Sequence, residues 1–549
     1  MTDGSARQAE AAGGLRVALG FIVLAIVLRL PAMLYSVLNF DESMYLLMGD
    51  KLRQGFLPYT ALCDLKPAGL FGLFALISAL PMDGVLAMRL CAAIAVGLGA
   101  FLLWMVAPRL FDDPQRRIGA AAGLAYIVFM LANGGLNAQA ELFMNLASLL
   151  GLLLALQATG TGGRPKLGLM VTAGLVLGVG LQIKQVVAID MLAYLFGFFL
   201  LTTQGLRQLP ARIREAWLPL AALGLAATVP TLLVMLVYAA SGHWDAWVAG
   251  NLTTHRGFYG DTGPQIGWDA GFRAMVEQAP LWLAALAVLV VGKHLAHDLG
   301  ERRAILFLWL WIVLVGIGQV FLRFMSDHYF LQFLMPLGLL TGFLLGRGVL
   351  ERLDGGFGRR AILAALVVLG VFAVAKNPIV NAIYIAWDRY VGGEAHAGDA
   401  ARQAAAEMAK DLRPGDALYV VGFMPIVYYL TGAEIPTRFA FTGLPNQRFP
   451  GRDGCAWVEP RVELQRILDS NPRFILVEQG VYFEELPPEL KTPLLDRLGQ
   501  RYRLRAEFAQ HPIHRLYPFE RFVMNGAAAA RLYERIDPAV SPGAASISS

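Results

Sequence analysis

Residues 67–80 read PAGLFGLFALISAL, an apolar run of 14 residues closed by Pro67 at one end and followed by Pro81 at the other. A helix that crosses a bilayer needs about 20 predominantly apolar residues, so this run is too short to span. Its reading decides the topology of everything after it, because one extra crossing would invert the side of every later loop. It is therefore expected as an interfacial or re-entrant helix.

Outward from this run, apolar stretches centred near residues 26, 96, 124, 148, 175, 194, 228, 288, 312, 337 and 369 give about eleven spans. Basic residues gather in every second loop: Arg109/Arg116/Arg117, Arg164/Lys166, Arg207/Arg212/Arg214, Lys293/Arg302/Arg303 and Arg347/Arg352/Arg359/Arg360. Lys and Arg favour the cytoplasmic side, which places these loops inside together with a polar N-terminus at 1–14. Segments 37–83, 133–139, 181–186, 241–278 and 323–328 then face outward, as does the chain after about 378. No small-residue cleavage site follows the run that starts at Leu15, so it is expected as an uncleaved first span.

After Ala375 the composition becomes mixed and globular. Ala400–Leu412 has the pattern of an amphipathic helix stopped by Pro414-Gly415, Ala417–Val421 and Phe474–Val477 are short runs of strand formers, and Leu486–Leu498 is a further helix candidate. The expected organisation is a cytoplasmic N-terminus at 1–14 and a transmembrane domain at 15–377, whose first outer loop, 37–83, carries interfacial helices. An outward α/β domain at 378–525 and a disordered tail at 526–549 follow, the tail being rich in Ser, Ala, Gly and Pro. The fold class is thus a polytopic α-helical membrane protein of about eleven spans with a C-terminal extramembrane α/β domain.

Composition agrees. Charged residues make up 16% of the 549 positions, against roughly 25% in soluble domains, and the apolar share is 56%. The net charge of +5 is modest, which argues against a nucleic-acid partner. Cys63, Cys91 and Cys455 form no CxxC pair, so no zinc or redox motif is present. Cys63 and Cys455 both fall in outward segments, which leaves a disulfide between them open. No Walker A, GxGxxG, HExxH or GxSxG pattern occurs in a credible context.

Charged residues beside membrane spans are expensive unless used or paired, and the outer segments hold several. The first loop contains Asp41, Glu42, Lys51, Arg53, Asp64 and Lys66. Glu42–Gln54 places Met44, Leu47 and Met48 on one helical face, which suits an interfacial helix ended by Gly55. Asp41 reads either as the N-cap of that helix or as a fixed carboxylate at the membrane surface. Glu141 reads as a helix-start carboxylate or a site acid. Lys184 reads as a snorkelling cation or a site cation. Arg29 and Arg89, near the outer ends of their spans, suit structural pairing with a carboxylate. His255, Arg256 and Tyr259 suit simple solvation in a long outer loop. Arg323, His328 and Tyr329 close the set at an outer span boundary, where aromatics also form interfacial belts. Together the outer face gathers carboxylates and cations. Sugar transfer from a lipid phosphate needs that pairing: a carboxylate takes the acceptor's proton and cations stabilise the departing phosphate.

The ordered set Phe40-Asp41-Glu42-Ser43-Met44-Tyr45, Lys66-Pro67, Arg89-Leu90, Gln139-Ala140-Glu141, Lys184-Gln185 and His328-Tyr329-Phe330-Leu331-Gln332 resembles the GT-C class of membrane glycosyltransferases. It is most similar to bacterial relatives of protein O-mannosyltransferases and of the lipid A aminoarabinose transferase. Pro414-Gly415-Asp416, Val427-Tyr428-Tyr429-Leu430-Thr431-Gly432 and Pro436-Thr437-Arg438-Phe439 resemble the outer domain of bacterial members. The resemblance implies an inverting transfer from a polyprenyl-phosphate-linked sugar to an acceptor hydroxyl on a glycan, lipid or protein, at the periplasmic face of a bacterial inner membrane. It implies Asp41 as base and Glu141 as a second acidic residue near the acceptor. Glu42, Lys66, Arg89, Lys184, Arg323, His328 and Tyr329 are the implied donor-phosphate and substrate contacts. The second acidic position is Glu where relatives more often carry Asp, and no MIR-type insert follows the spans. No cofactor and no metal are implied, since Asp41-Glu42 lacks the DxD spacing of metal-dependent GT-C enzymes. Two other classes remain: a transporter or flippase for a lipid-linked sugar, disfavoured because transporters place their sites near the midplane, and a non-catalytic scaffold or sensor.

Overall fold

The structure, a computed structural model, describes residues 2–159, 164–203, 205–253, 267–322, 325–350, 383, 386–394, 396–422, 424–440, 458–479, 481–484, 486–510 and 529–536. Helix α1 (Thr2–Arg29) is followed by α2 (Phe40–Arg53), α3 (Ala68–Ser78), α4 (Gly84–Leu110), α5 (Arg117–Phe129), α6 (Ala140–Thr159), α7 (Leu167–Ile183), α8 (Val187–Thr202) and α9 (Leu209–Ala240). Then come α10 (Trp268–Glu277), α11 (Ala279–Leu295), α12 (Leu299–Leu322), a 3-10 turn (Asp327–Phe333) and α13 (Leu334–Phe343). Helix α3, at 11 residues, is about 16 Å long and cannot span.

Ten of the eleven expected apolar centres fall on these helices, and the one near 369 lies outside the described residues. Six described stretches are long and apolar enough to cross a bilayer: Ala12–Leu34, Gly84–Leu110, Ala140–Thr159, Leu209–Ala240, Leu299–Phe321 and Asp327–Gly348. The pair α10 and α11, bent by 81°, makes a seventh if it counts as one broken span. Helices α5, α7 and α8, at 13, 17 and 16 residues, reach about 20–26 Å, short of a ~30 Å hydrocarbon core.

Burial sorts centre from rim. Every residue of α13 is buried. Helix α9 lies at the periphery, with Leu225, Leu232, Leu233 and Leu236 exposed, as lipid-facing side chains must be. Lipid gives no hydrophobic drive between helices, so close packing of small residues substitutes for it. On α7, Gly174 and Gly178 sit one turn apart, and a Cβ on either would collide with a carbonyl of α9, at Leu223 and Ala227 respectively.

One polar knot lies inside this packing. Asp190 of α8 is fully buried and accepts from Ser148 Oγ of α6 at 2.6 Å, Trp311 Nε1 of α12 at 2.8 Å and Gln332 Nε2 of the 3-10 turn at 2.9 Å. Four segments thus share one acceptor. Asp190→Leu is expected to strand these three donors, at about 1–3 kcal/mol each. A clear drop in unfolding temperature of the detergent-solubilised protein checks it; Asp190→Asn should retain most of the stability.

At the opposite end of the bundle from α2, the expected basic loops meet. Glu301 accepts from Arg347 and from the N–H groups of Asp112 and His297, tying three of them together.

The C-terminal domain carries α14 (Ala400–Met408), β1 (Leu418–Val421), a short helix Ile426–Thr431, α15 (Pro460–Asp469), β2 (Phe474–Gln479), α16 (Pro488–Arg501), β3 (Tyr502–Phe508) and β4 (Ala529–Arg535). The sheet order is β1-β2-β4-β3, with β1–β2 parallel and the other pairs antiparallel. Side chains alternate between faces with period two. Tyr419, Val421, Ile475 and Val477 meet α15 and α16 through Leu464, Ile467, Leu494 and Leu498. Leu418, Val420, Phe474 and Leu476 join Ala401, Ala404 and Met408 of α14 in the core continuous with the membrane part. The expected helix at 400–412 is shorter, and the one at 486–498 starts and ends later. The tail expected from 526 is corrected at its start: Ala529–Arg535 is a strand, because burying Ala530 and Leu532 between β2 and β3 completes both ladders. Residues 537–549 and Cys455 lie outside the described residues.

Candidate active site

Helix α2 begins at Phe40, and its N-cap is Asn39, not Asp41. Asn39 Oδ1 accepts from the Asp41 N–H at 2.8 Å, and Glu42 returns to the Asn39 N–H at 3.3 Å, closing a capping box. The cap therefore takes Asn39 and Glu42 and leaves the Asp41 carboxylate for other use.

Glu42 is saturated. It accepts from Arg89 through both Nε (2.8 Å) and Nη2, from Leu38 N at 3.1 Å and from Ala138 N at 2.8 Å, besides Asn39. Arg89 Nη1 adds a bond to Ala32 O. Side-chain exposure is 1% for Arg89 and 0% for Glu42. Both are among the implied substrate contacts, although Arg89 also reads as pairing structurally with a carboxylate. The structure gives the pairing and not the substrate contact: they form a buried pair, each offering its charge to the other and to backbone. Through that pair the start of α2, the turn before it, α4 and the loop ahead of α6 are held together. Arg29 is likewise structural, bonding Met130 O at 2.8 Å and Gly135 O at 3.3 Å.

The remaining described candidates converge. Lys66 Nζ lies 3.5 Å from Asp41 Oδ1 and 5.7 Å from the centre of the Tyr45 ring. His328 Nε2 lies 3.8 Å from Asp41 Oδ2 and 4.0 Å from Glu141 Oε1. Lys184 Nζ contacts Glu141 Oε1 directly and sits 4.1 Å over the Tyr329 ring. Five segments, far apart in sequence, thus bring Asp41, Lys66, Glu141, Lys184 and His328 to one place. Arg323, His255, Arg256 and Tyr259 lie outside the described residues.

The two acids differ. Lys66 and His328 both lie outside the usual 2.7–3.2 Å N–H···O range of Asp41, so among the described residues its carboxylate is met by charge contacts at 3.5 and 3.8 Å and not by a close hydrogen bond. Glu141 is held at Oε1 by Lys184, while its Oε2 is buried without a hydrogen-bond partner among the described residues. Tyr45 Oη and both amide atoms of Gln139 share that condition. Such atoms cost free energy while nothing meets them. Burial acts to lower the pKa of Lys66, but Asp41, Tyr45, Asp64 and Glu141 around it hold it well above the ordinary lysine value. Lys66 therefore remains a cation.

Two acidic residues outside the implied catalytic and substrate contacts shape the site. Asp64 Oδ1 accepts from Leu65 N at 2.6 Å and Lys66 N at 2.9 Å, folding the chain that presents Lys66. Asp327 Oδ1 lies 3.2 Å from His328 Nδ1 and orients the ring. An Asp two residues before a Lys, and one directly before a His, are faint signals of both roles. No group of three or more His, Cys, Asp or Glu suited to a metal occurs among the described residues.

Comparison with known proteins shows what the chain is similar to. The family described as dolichyl-phosphate-mannose-protein mannosyltransferase matches residues 66–234, a stretch that holds Lys66, Arg89, Glu141 and Lys184. An undecaprenyl phosphate-alpha-4-amino-4-deoxy-L-arabinose arabinosyl transferase from Pseudomonas fluorescens is 25% identical over 334 residues. That match spans 57% of this chain and 56% of the relative, little more than half its length. Among solved structures, ArnT from Cupriavidus metallidurans bound to undecaprenyl phosphate superposes with a TM-score of 0.52 at 13% identity, covering 94% of this chain and 97% of that one. The archaeal oligosaccharyltransferase AglB from Archaeoglobus fulgidus gives 0.48 at 12% identity, covering 84% and 69%.

Proposed function

The chain has the GT-C membrane fold, and we propose that it is an inverting glycosyltransferase. It moves a sugar from a polyprenyl-phosphate carrier to an acceptor hydroxyl at the outer, periplasmic face of a bacterial inner membrane, with its N-terminus cytoplasmic. The observation that carries this reading is the convergence of a carboxylate, Asp41, with a half-buried cation, Lys66, beside a second acid–cation pair, Glu141 and Lys184. The relatives named for undecaprenyl- and dolichyl-phosphate substrates support it.

In the proposed reaction the acceptor oxygen attacks the anomeric carbon from the side opposite the phosphate. The bond from that carbon to the phosphate oxygen breaks, and its electron pair leaves with the carrier phosphate. Asp41 takes the acceptor proton as general base. Lys66 lies close enough to meet the phosphate as its charge grows, in surroundings where such a contact is stronger than in water. Glu141, fixed at one oxygen by Lys184, turns the other toward the acceptor. Phosphate is a competent leaving group, so the scheme needs neither a second acid nor a metal. The acceptor is a glycan, lipid or protein hydroxyl.

The test is release of free polyprenyl phosphate by the purified protein in liposomes that hold lipid-linked sugars and acceptor lipids from the source membrane. Release with a matching glycosylated product in the mass spectrum supports the reading. Transbilayer movement of the lipid-linked sugar without release would replace it by a flippase.

A further inference from the structure

The C-terminal domain touches the membrane part at the loop that carries Lys66. Arg438 Nη2 donates to Tyr59 O at 3.1 Å and Thr60 O at 3.0 Å, and Cys63 N donates back to Arg438 O at 2.9 Å. On the domain side this segment is anchored: Thr437 Oγ1 donates to Glu463 Oε1 at 2.6 Å, and Arg466 grips both Glu463 and Pro436 O. On the loop side, Tyr59 is fully buried with φ at +67°, a left-handed backbone that a non-glycine residue adopts only where its surroundings impose it. Its hydroxyl donates to Lys66 O at 2.5 Å, and its ring lies against Tyr238 and Phe71. A continuous path therefore runs from Glu463 through Arg438 and Tyr59 to Lys66, and from there to Asp41 at 3.5 Å.

The geometry points to Arg438 as a positioning residue that holds residues 57–66 so that Lys66 meets the carrier phosphate. The outer domain then completes the active site instead of merely standing beside it. Docking of the domain does not depend on this contact. Asp399 accepts from Ser36 N and Oγ at 3.0 and 2.6 Å, and Arg402 bonds both oxygens of Asp83 at 2.8 Å, away from the loop. Loss of Arg438 should therefore loosen the loop while the domain stays docked. This inference rests on the proposed role of Lys66.

The experiment measures binding of undecaprenyl phosphate to the full chain in nanodiscs, together with amide hydrogen exchange of residues 57–66. Lys66→Ala is expected to weaken binding about tenfold or more, and Arg438→Ala several-fold, with faster exchange confined to 57–66. Because Arg438 acts through Lys66, the double variant should bind no more weakly than Lys66→Ala alone. Arg438→Lys should restore part of the affinity, and Arg402→Ala should bind as wild type. Wild-type binding by Arg438→Ala, additive losses in the double variant, or an equal loss in Arg402→Ala would each overturn the proposal. If the wild-type protein binds no carrier phosphate, the functional reading fails. The clamp is then judged by exchange alone: faster exchange in Arg438→Ala upholds it, and unchanged exchange sinks it.

Discussion

Asp41→Asn is expected to slow release of carrier phosphate by about 10²–10⁴-fold, the usual contribution of a positioned base, and to leave the fold intact. The substitution keeps shape and removes basicity. It should be tolerated structurally because the helix cap belongs to Asn39, and because the nearest side-chain nitrogens, of Lys66 and His328, stand at 3.5 and 3.8 Å, beyond the usual hydrogen-bonding range. Wild type and variant, run side by side in the liposome assay with matched unfolding temperatures, separate chemistry from stability. Full release by Asp41→Asn would remove Asp41 as the base and shift attention to Glu141, which like Asp41 approaches His328 Nε2.

The neighbouring residue should behave in the opposite way. Arg89→Ala leaves Glu42 as a buried carboxylate without its counter-charge, and breaking a buried pair from one side costs about 3–5 kcal/mol. The expected result is poor recovery of folded protein and a large fall in unfolding temperature, whether or not a lipid phosphate is present. Arg89→Lys should rescue little, because one ammonium cannot reproduce the fork that now meets two carboxylate oxygens and Ala32 O. If Arg89→Ala were as stable as wild type but lost affinity for undecaprenyl phosphate, the pair would return to the substrate contacts.

These adjacent residues also show how far the sequence could be read. Asp41, Lys66, Glu141, Lys184 and His328 were legible because each is a polar residue at the outer end of an apolar stretch, a placement lipid penalises. Glu42 and Arg89 carry the same signature. Nothing in a linear pattern separates a charge aimed at a cavity from one aimed at another charge 47 positions away. The cap was misplaced by two residues because Asn39 and Asp41 are both good capping residues and local sequence ranks them almost equally. Spans and basic loops were visible as composition. Strand β4 was not, since AARLYER mixes small and charged residues and buries only Ala530 and Leu532 fully. Its strand character comes from the partners on either side.

That strand has a consequence for how the protein comes into being. It occupies the gap between β2 and β3, yet it is synthesised after both. Until residue 535 has left the ribosome, β2 and β3 each have an open edge where β4 will lie, and open edges are the surfaces through which nascent chains pair wrongly. Arg438 is made almost a hundred residues earlier, but the domain that steadies it closes only with this late strand. Maturation of the site is thereby timed to the emergence of this strand. A nonsense mutation or proteolytic cut just before 529 would leave every residue around Asp41 in place and still deprive the loop of its support.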